Sequence, residues 1–187
     1  MAIIVNSVNI ITDATVEPIT LAEAKEWMRI SYDTDDVIIA ELIIGARKHL
    51  ELLCGVSFVT KVIKSNIELT GSVPNVWMVD VPYSPLIAVN ELKWKTGFNM
   101  YETLVANDDY EIIGGKIWLY SYGNYIITYQ AGYTITPQDI INDMLTLISW
   151  TYQNRGKNFK SDQNASAFKE YPTWSGLNYN QYKKVVI

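Results

Sequence analysis

The 187-residue chain reads as a mixed α+β protein with two N-terminal helices, an inserted small antiparallel β unit, a C-terminal helix and an extended tail. Three features predict this. A capping box stands at Thr20–Glu23, the apolar period changes from helical to alternating after Gly55, and it returns to helical after Pro137.

In Thr20-Leu-Ala-Glu23 the Thr hydroxyl can accept from the third helical amide while the Glu carboxylate reaches back to the Thr20 amide, so a helix starts there. Leu21, Ala24 and Met28 follow at i, i+3 and i+7, and the stripe fades near Ser31. Asp33-Thr-Asp-Asp36 supplies a second N-cap and sets acids where the helix dipole favours them. The helix it opens carries a core stripe of Ile39, Leu42, Ile43, Ala46, Leu50 and Leu53, and Gly55 is its natural stop. Val37, Ile38 and Ile44 fall partly outside that stripe. An apolar face this wide is buried on two sides, either at the centre of the monomer or against a neighbouring subunit, which makes the three residues candidates for a subunit interface.

Beyond Val56 the alternation is that of strands. Val59, Ile63, Ile67 and Leu69 share one parity, Trp77, Val79 and Val81 make a second strand, and Ala88 to Trp94 a third, with Gly71, Pro74, Pro82, Pro85 and Gly97 as turns. Tyr110–Ile113, Gly114-Gly115 and Lys116–Tyr120 form a hairpin, since paired glycines tolerate the positive φ of a two-residue turn. Tyr125–Tyr129 completes the sheet. Thr136 is expected to cap the last helix, with Pro137 in its first turn and Ile140, Ile141, Met144, Leu147 and Ile148 as its packing stripe. The organisation expected is an N-terminal arm (1–16), a helical core (17–55 plus 134–156), a β unit (56–133) and a C-terminal tail (157–187).

The composition, 49% hydrophobic and 19% charged, is that of an ordinary globular protein. No apolar run approaches the roughly 20 residues a spanning helix needs, and Met1–Asn6 lacks the basic start and length of a secretion signal, so the chain is expected to remain in the cytoplasm of the cell that makes it. The net charge of −5 is unevenly spread: residues 1–155 hold 10 Lys+Arg and 18 Asp+Glu, giving −8, and residues 156–187 hold 5 and 2, giving +3. An acidic body argues against phosphate-backbone binding. The tail carries Phe159, Phe168, Tyr171, Trp174, Tyr179 and Tyr182 with almost no periodic aliphatics. Such a segment makes a poor core of its own but a good partner-binding strand of anchors, and Trp174, Tyr179 and Tyr182 are the candidate anchors.

Catalytic and cofactor signatures are weak. Gly114-Gly115 sits in a hairpin without the helix and lysine of a phosphate loop. His49 and Cys54, the one histidine and the one cysteine, both fall on an apolar helix; His49 reads as a partly buried, satisfied residue rather than a base or ligand. Asp108-Asp109 reads as a loop and Asp33, Asp35 and Asp36 as a helix cap rather than as Ca²⁺ or Mg²⁺ ligands. No enzyme activity, metal or cofactor is expected. With six Trp and thirteen Tyr, a carbohydrate-binding or other interaction module with an aromatic-rich β unit is the alternative. Against it, Trp77, Trp94 and Trp118 sit in strands where aromatics pack across neighbours, and Trp27 and Trp150 in helices.

Glu17-Pro-Ile-Thr-Leu-Ala-Glu-Ala24, an acidic-started second helix, Pro82-Tyr-Ser-Pro85, Tyr129-Gln-Ala-Gly-Tyr133 and a final helix ending at Arg155 stand in this order over most of the chain. The ordered set resembles the head-tail connector (adaptor, or head-completion) proteins of tailed phages. Relatives tend to end in a hydrophobic segment with a Tyr-Arg pair, of which Tyr182-Lys-Lys is a loose echo. The resemblance implies a structural protein of the virion neck, assembled in the host bacterial cytoplasm. It implies a homo-oligomeric ring, typically of twelve subunits, beneath the portal protein, bridging it to the stopper or tail-completion protein. Genomic DNA would pass through the ring without specific binding.

Overall fold

The computed structural model describes residues 2–71, 76–155 and Tyr182. Pro74, expected in a turn, and Trp174 and Tyr179, expected as tail anchors, lie outside the described residues. The protein is mixed α+β, and the elements run β1 (Ala2–Thr12), α1 (Leu21–Met28), α2 (Asp36–Cys54), β2 (Lys61–Thr70), β3 (Trp77–Val79), β4 (Leu86–Gly97), β5 (Met100–Thr103), β6 (Tyr110–Ile113), β7 (Lys116–Leu119), β8 (Gly123–Ala131) and α3 (Gln138–Gln153). They divide into two compact units, Met1–Thr15 with Gly55–Thr134 and Val16–Cys54 with Ile135–Ile187.

The first unit has two antiparallel sheets where the sequence suggested one small sheet: a five-stranded sheet ordered β1-β2-β8-β4-β5 and a three-stranded sheet ordered β3-β7-β6. Alternation along β2 and β8 puts Ile63, Ile67, Leu69, Tyr125, Ile127 and Tyr129 on one face, where they pack with Trp77, Val79, Ile117 and Leu119 of the smaller sheet. The β6–β7 turn uses Gly114 and Gly115 at φ 60° and 73°, as a tight two-residue turn requires.

Residues 1–16, read as an arm, contribute β1, which pairs with β2 along most of its length. Two bulges, at Val5/Ser7 and Ile10/Thr12, break its alternation. Each bulge shifts the parity by one residue, so Ile3, Val5, Val8 and Ile10 all lie opposite inward-facing β2 residues although their spacing is not a simple period of two.

The phage-like motifs acquire structural reasons. Tyr129 of the Tyr-Gln-Ala-Gly-Tyr segment donates its hydroxyl to the Pro82 carbonyl at 2.7 Å, and the Gly132 amide donates to the Pro85 carbonyl at 2.9 Å. The strand end and the Pro-Tyr-Ser-Pro loop therefore clasp each other. Gly132 has φ 124°, and a Cβ there would lie 2.1 Å from the Val59 carbonyl oxygen. Only glycine fits.

In the second unit the capping box forms as read: the Thr20 hydroxyl accepts from the Glu23 amide at 3.2 Å and the Glu23 carboxylate accepts from the Thr20 amide at 2.8 Å. Those bonds hold the Glu23 carboxyl below its usual range. Arg29 closes α1 in the left-handed region at φ 58°, and Gly55 follows α2 at φ 67°. The cap of α3 differs from expectation. Pro137, not Thr136, occupies the N-cap position, and no side chain caps the helix. α3 packs against both α1 and α2. Ile140, Asp143, Met144, Leu145, Leu147 and Ile148 are buried, so α3 rather than α2 is the helix enclosed on several sides.

Candidate interaction surfaces

Arg47 of α2 is 1% exposed and is held by the carboxylate of Glu17, which accepts from Nε at 2.7 Å and from Nη2 at 3.0 Å, and by Glu51, which accepts from Nη1 at 3.0 Å. This bidentate clamp fixes the start of the Glu-Pro-Ile-Thr segment against α2. Sequence reading missed it, because a lone Arg at the edge of an apolar stripe is indistinguishable from a solvated one until its acids are brought together.

With Arg47 turned inward, the opposite side of α2 is left open. Val37, Ile38 and Ile44 are exposed, as is Leu52, which the sequence reading did not single out. At 3.6 residues per turn these four fall within about 120° of the helix circumference, with exposed Glu41 and Lys48 between them. Val37 and Leu52 are the most open, at 73% and 69%. Gly45 lies in the same sector, and a Cβ there would meet nothing within 4 Å. Among the described residues, the part of this wide apolar face that lies outside the core stripe is exposed. His49, expected to be partly buried, is exposed, because the helix turns that residue toward the open side. Cys54 is buried and forms no disulfide.

The acids at the start of α2 are occupied by side chains of their own unit. Lys25 bridges Asp33 at 2.6 Å and Asp36 at 2.7 Å. The Tyr152 hydroxyl donates to Asp35 at 2.5 Å and lies 2.9 Å from the Tyr32 hydroxyl; Arg155 donates to the same Asp35 oxygen at 2.9 Å and stacks 3.9 Å above the Tyr152 ring. The bond from Tyr152 holds the Asp35 carboxyl below its usual range. The same bond, with the one to Tyr32, pushes the Tyr152 hydroxyl up to about 12. Asp109 accepts from the Val105 amide at 2.8 Å and so belongs to its own loop. Among the described residues no group of three or more His, Cys, Asp or Glu could hold a metal ion.

Tyr182, expected to anchor a partner, lies against its own subunit: its hydroxyl donates to the Asp139 carboxylate, with the two oxygens at 2.8 and 2.9 Å. Asp139 stands in the first turn of α3, where its charge favours the helix dipole. The strand tryptophans do not form an open stacking platform, since Trp77 is buried and Trp94 and Trp118 are half-buried. Among the described residues Trp27, near the end of α1, is the tryptophan that stands out, 51% exposed beside Glu23, Glu26 and Arg29.

Residues 18–112, about half of the chain, match the phage gp6-like head-tail connector proteins. The chain belongs to that family. The match takes in the capping box, both N-terminal helices and the clasping proline loop, three of the features that carried the resemblance in the sequence; Tyr129-Gln-Ala-Gly-Tyr133 and the final helix lie beyond it. No curated protein is recognisably similar to this connector in sequence. Among solved structures it is similar to a chain in the neck of an empty gene transfer agent particle computed with C6 symmetry (TM-score 0.70, 12% identity, 97% of each chain). It is also similar to one in the neck of the native particle computed with C12 symmetry (0.68, 14%, 97% of each). A third, in the virion of the native particle, gives 0.66 at 13% identity over 96% of each chain. The connector shares their fold.

Proposed function

We propose that the protein is a structural connector of a tailed phage or phage-like particle, an adaptor that forms a ring under the portal protein and bridges it to the stopper or tail-completion protein. The family match over residues 18–112 carries this reading. Its support is the end-to-end likeness to chains from particle necks of cyclic symmetry. No catalytic role is needed, and the family is a structural one.

In this reading the helical core of residues 17–55 plus 134–156 supplies one face of the subunit contact through Val37, Ile38 and Ile44, extended by Leu52. The β unit of residues 56–133 forms a second body of the subunit. A cyclic ring joins unlike faces, so the α2 sector meets a different surface on its neighbour. The tail, residues 157–187, reaches the portal through Trp174, Tyr179 and Tyr182, and for Tyr182 this means giving up Asp139. Genomic DNA passes along the ring axis. A body with a formal charge of −8 over residues 1–155 repels phosphates rather than holding them, which lets the genome slide. Co-purification of the full-length chain with the portal protein of the same genome tests the reading. A stable complex with an integral ring of this chain is expected, and its absence across concentration and salt refutes the adaptor role.

A further inference from the structure

The five-stranded sheet has two free edges of opposite character. At one edge, β1 is eleven residues long, carries no charged residue and no proline, and pairs on one side only, with β2. Natural edge strands are normally blunted by charge, proline or brevity, and this one has only its bulges. Ile3, Val5 and Ile10 lie opposite Leu69, Ile67 and Ile63, on the face that forms the core. Those β2 partners are at most 1% exposed, yet Ile3, Val5 and Ile10 are 39%, 43% and 45% exposed. Of the strand's apolar residues on this face, only Val8 packs against the core. The core face therefore continues onto β1 as an uncovered apolar shelf beside a row of unpaired backbone donors and acceptors.

At the other edge, β5 is four residues long and pairs only with β4. The tip of the β4–β5 hairpin, turned by Asn99 at φ 55°, holds Phe98 and Met100 out at 89% and 65% exposure. One edge thus offers a shelf and the other an apolar tip, with no partner for either among the described residues. Every neighbouring pair in the sheet is antiparallel, and four such steps from β1 to β5 leave these two strands running in the same direction. A copy related by rotation about an axis along the strands consequently brings its β1 alongside β5 in parallel.

We infer that the β1 edge and its shelf of Ile3, Val5 and Ile10 receive the β5 edge and the Phe98–Met100 tip of a second copy of this chain, extending the sheet from subunit to subunit. The inference rests on the ring reading above and names a surface in the β unit, separate from the α2 sector. Strand addition supplies directional backbone hydrogen bonds and the tip supplies apolar cover. A symmetric β1–β1 pairing would use the same shelf twice, close at two copies and leave the Phe98 tip bare, whereas β5-to-β1 pairing is the unlike-face contact from which rings are built.

The test is cysteine pairing in the full-length chain. Ile4, Asn9 and Thr103 lie on the sheet face away from the core, opposite Glu68, Lys64 and Lys93 respectively. Ile4→Cys with Thr103→Cys, and Asn9→Cys with Thr103→Cys, are oxidised under assembling conditions; the native Cys54 is buried and stays in place. A ladder of dimer, trimer and higher species from at least one pair is expected. Val5→Lys is expected to fold, with an unchanged circular dichroism spectrum and melting profile, while raising the concentration needed for assembly roughly tenfold or more. Rings that form without any ladder and are indifferent to Val5→Lys overturn the inference and leave the ring reading standing. Dimers from Asn9→Cys alone, with no higher species, favour the symmetric pairing and overturn it too. A chain that stays monomeric with and without portal removes both readings.

Discussion

Gly132 in the first unit and Arg47 in the second show how a single residue holds its own unit together. At Gly132 a side chain has no room and the backbone sits where L residues rarely go, so Gly132→Ala should destabilise the β unit by roughly 2–4 kcal/mol, measured by denaturant unfolding. Retention of wild-type stability would mean that the Val59 backbone moves freely, against the clasp described for the Pro-Tyr-Ser-Pro loop. Glu17→Ala leaves a buried guanidinium with Glu51 as its remaining identified carboxylate. Because Glu17 is itself about a quarter exposed, the expected loss is about 2 kcal/mol, below the range for a fully buried pair. Asp35 gives a pH signature. Its carboxyl is held below the unfolded value by the Tyr152 bond, so its contribution is complete above the ordinary carboxylate range and is lost as pH falls through the lowered folded value. An Asp35→Asn variant should therefore lose stability near neutrality and show a shallower acid transition than wild type; parallel acid profiles would count against the Tyr152–Asp35 link.

Among the elements, those with an intact period were legible and those with a broken one were not. α1, α2, α3, β2, β8 and the β6–β7 hairpin follow from capping chemistry, the 3.6-residue stripe, strict alternation or a Gly-Gly turn. β1 was missed because its two bulges scramble the parity of Ile3, Val5, Val8 and Ile10, and β5 because four exposed residues carry no apolar pattern. The α3 cap was placed one residue early, since Thr136 is the better capping side chain but Pro137 takes the position. For α2 the width of the apolar face was readable, yet which part of it stays open depends on Arg47 turning inward to Glu17. Leu52 could have been found from the same helical wheel, as it follows Ile38 by two heptads. Its openness yields a prediction: Val37→Asp and Leu52→Asp should leave the melting temperature of the monomer within a few degrees of wild type, because exposed substitutions usually change stability by no more than about 0.5 kcal/mol. Both should impair ring assembly in light scattering. A large loss of monomer stability instead would show that the α2 sector is covered within the subunit.

At the scale of the whole molecule, the acidic body and basic tail set the terms of assembly. Repulsion between small acidic subunits opposes self-association, so the isolated chain is expected to be monomeric at low concentration and to associate more readily as salt screens the charge or as portal is added. Ring assembly insensitive to salt would argue against this. For the tail, Trp174→Ala should weaken portal binding by on the order of 2 kcal/mol in a calorimetric titration without affecting folding of the body, and a chain ending at Gly156 should weaken it further. Equal affinity for all three proteins would move the portal contact to the helices between Leu21 and Cys54. The most direct test of the connector role is electron microscopy of the full-length chain mixed with the portal protein of its own genome. The account predicts a cyclic ring of this chain seated on the portal with an open axial channel. A closed dimer, or a portal that remains bare, would contradict it.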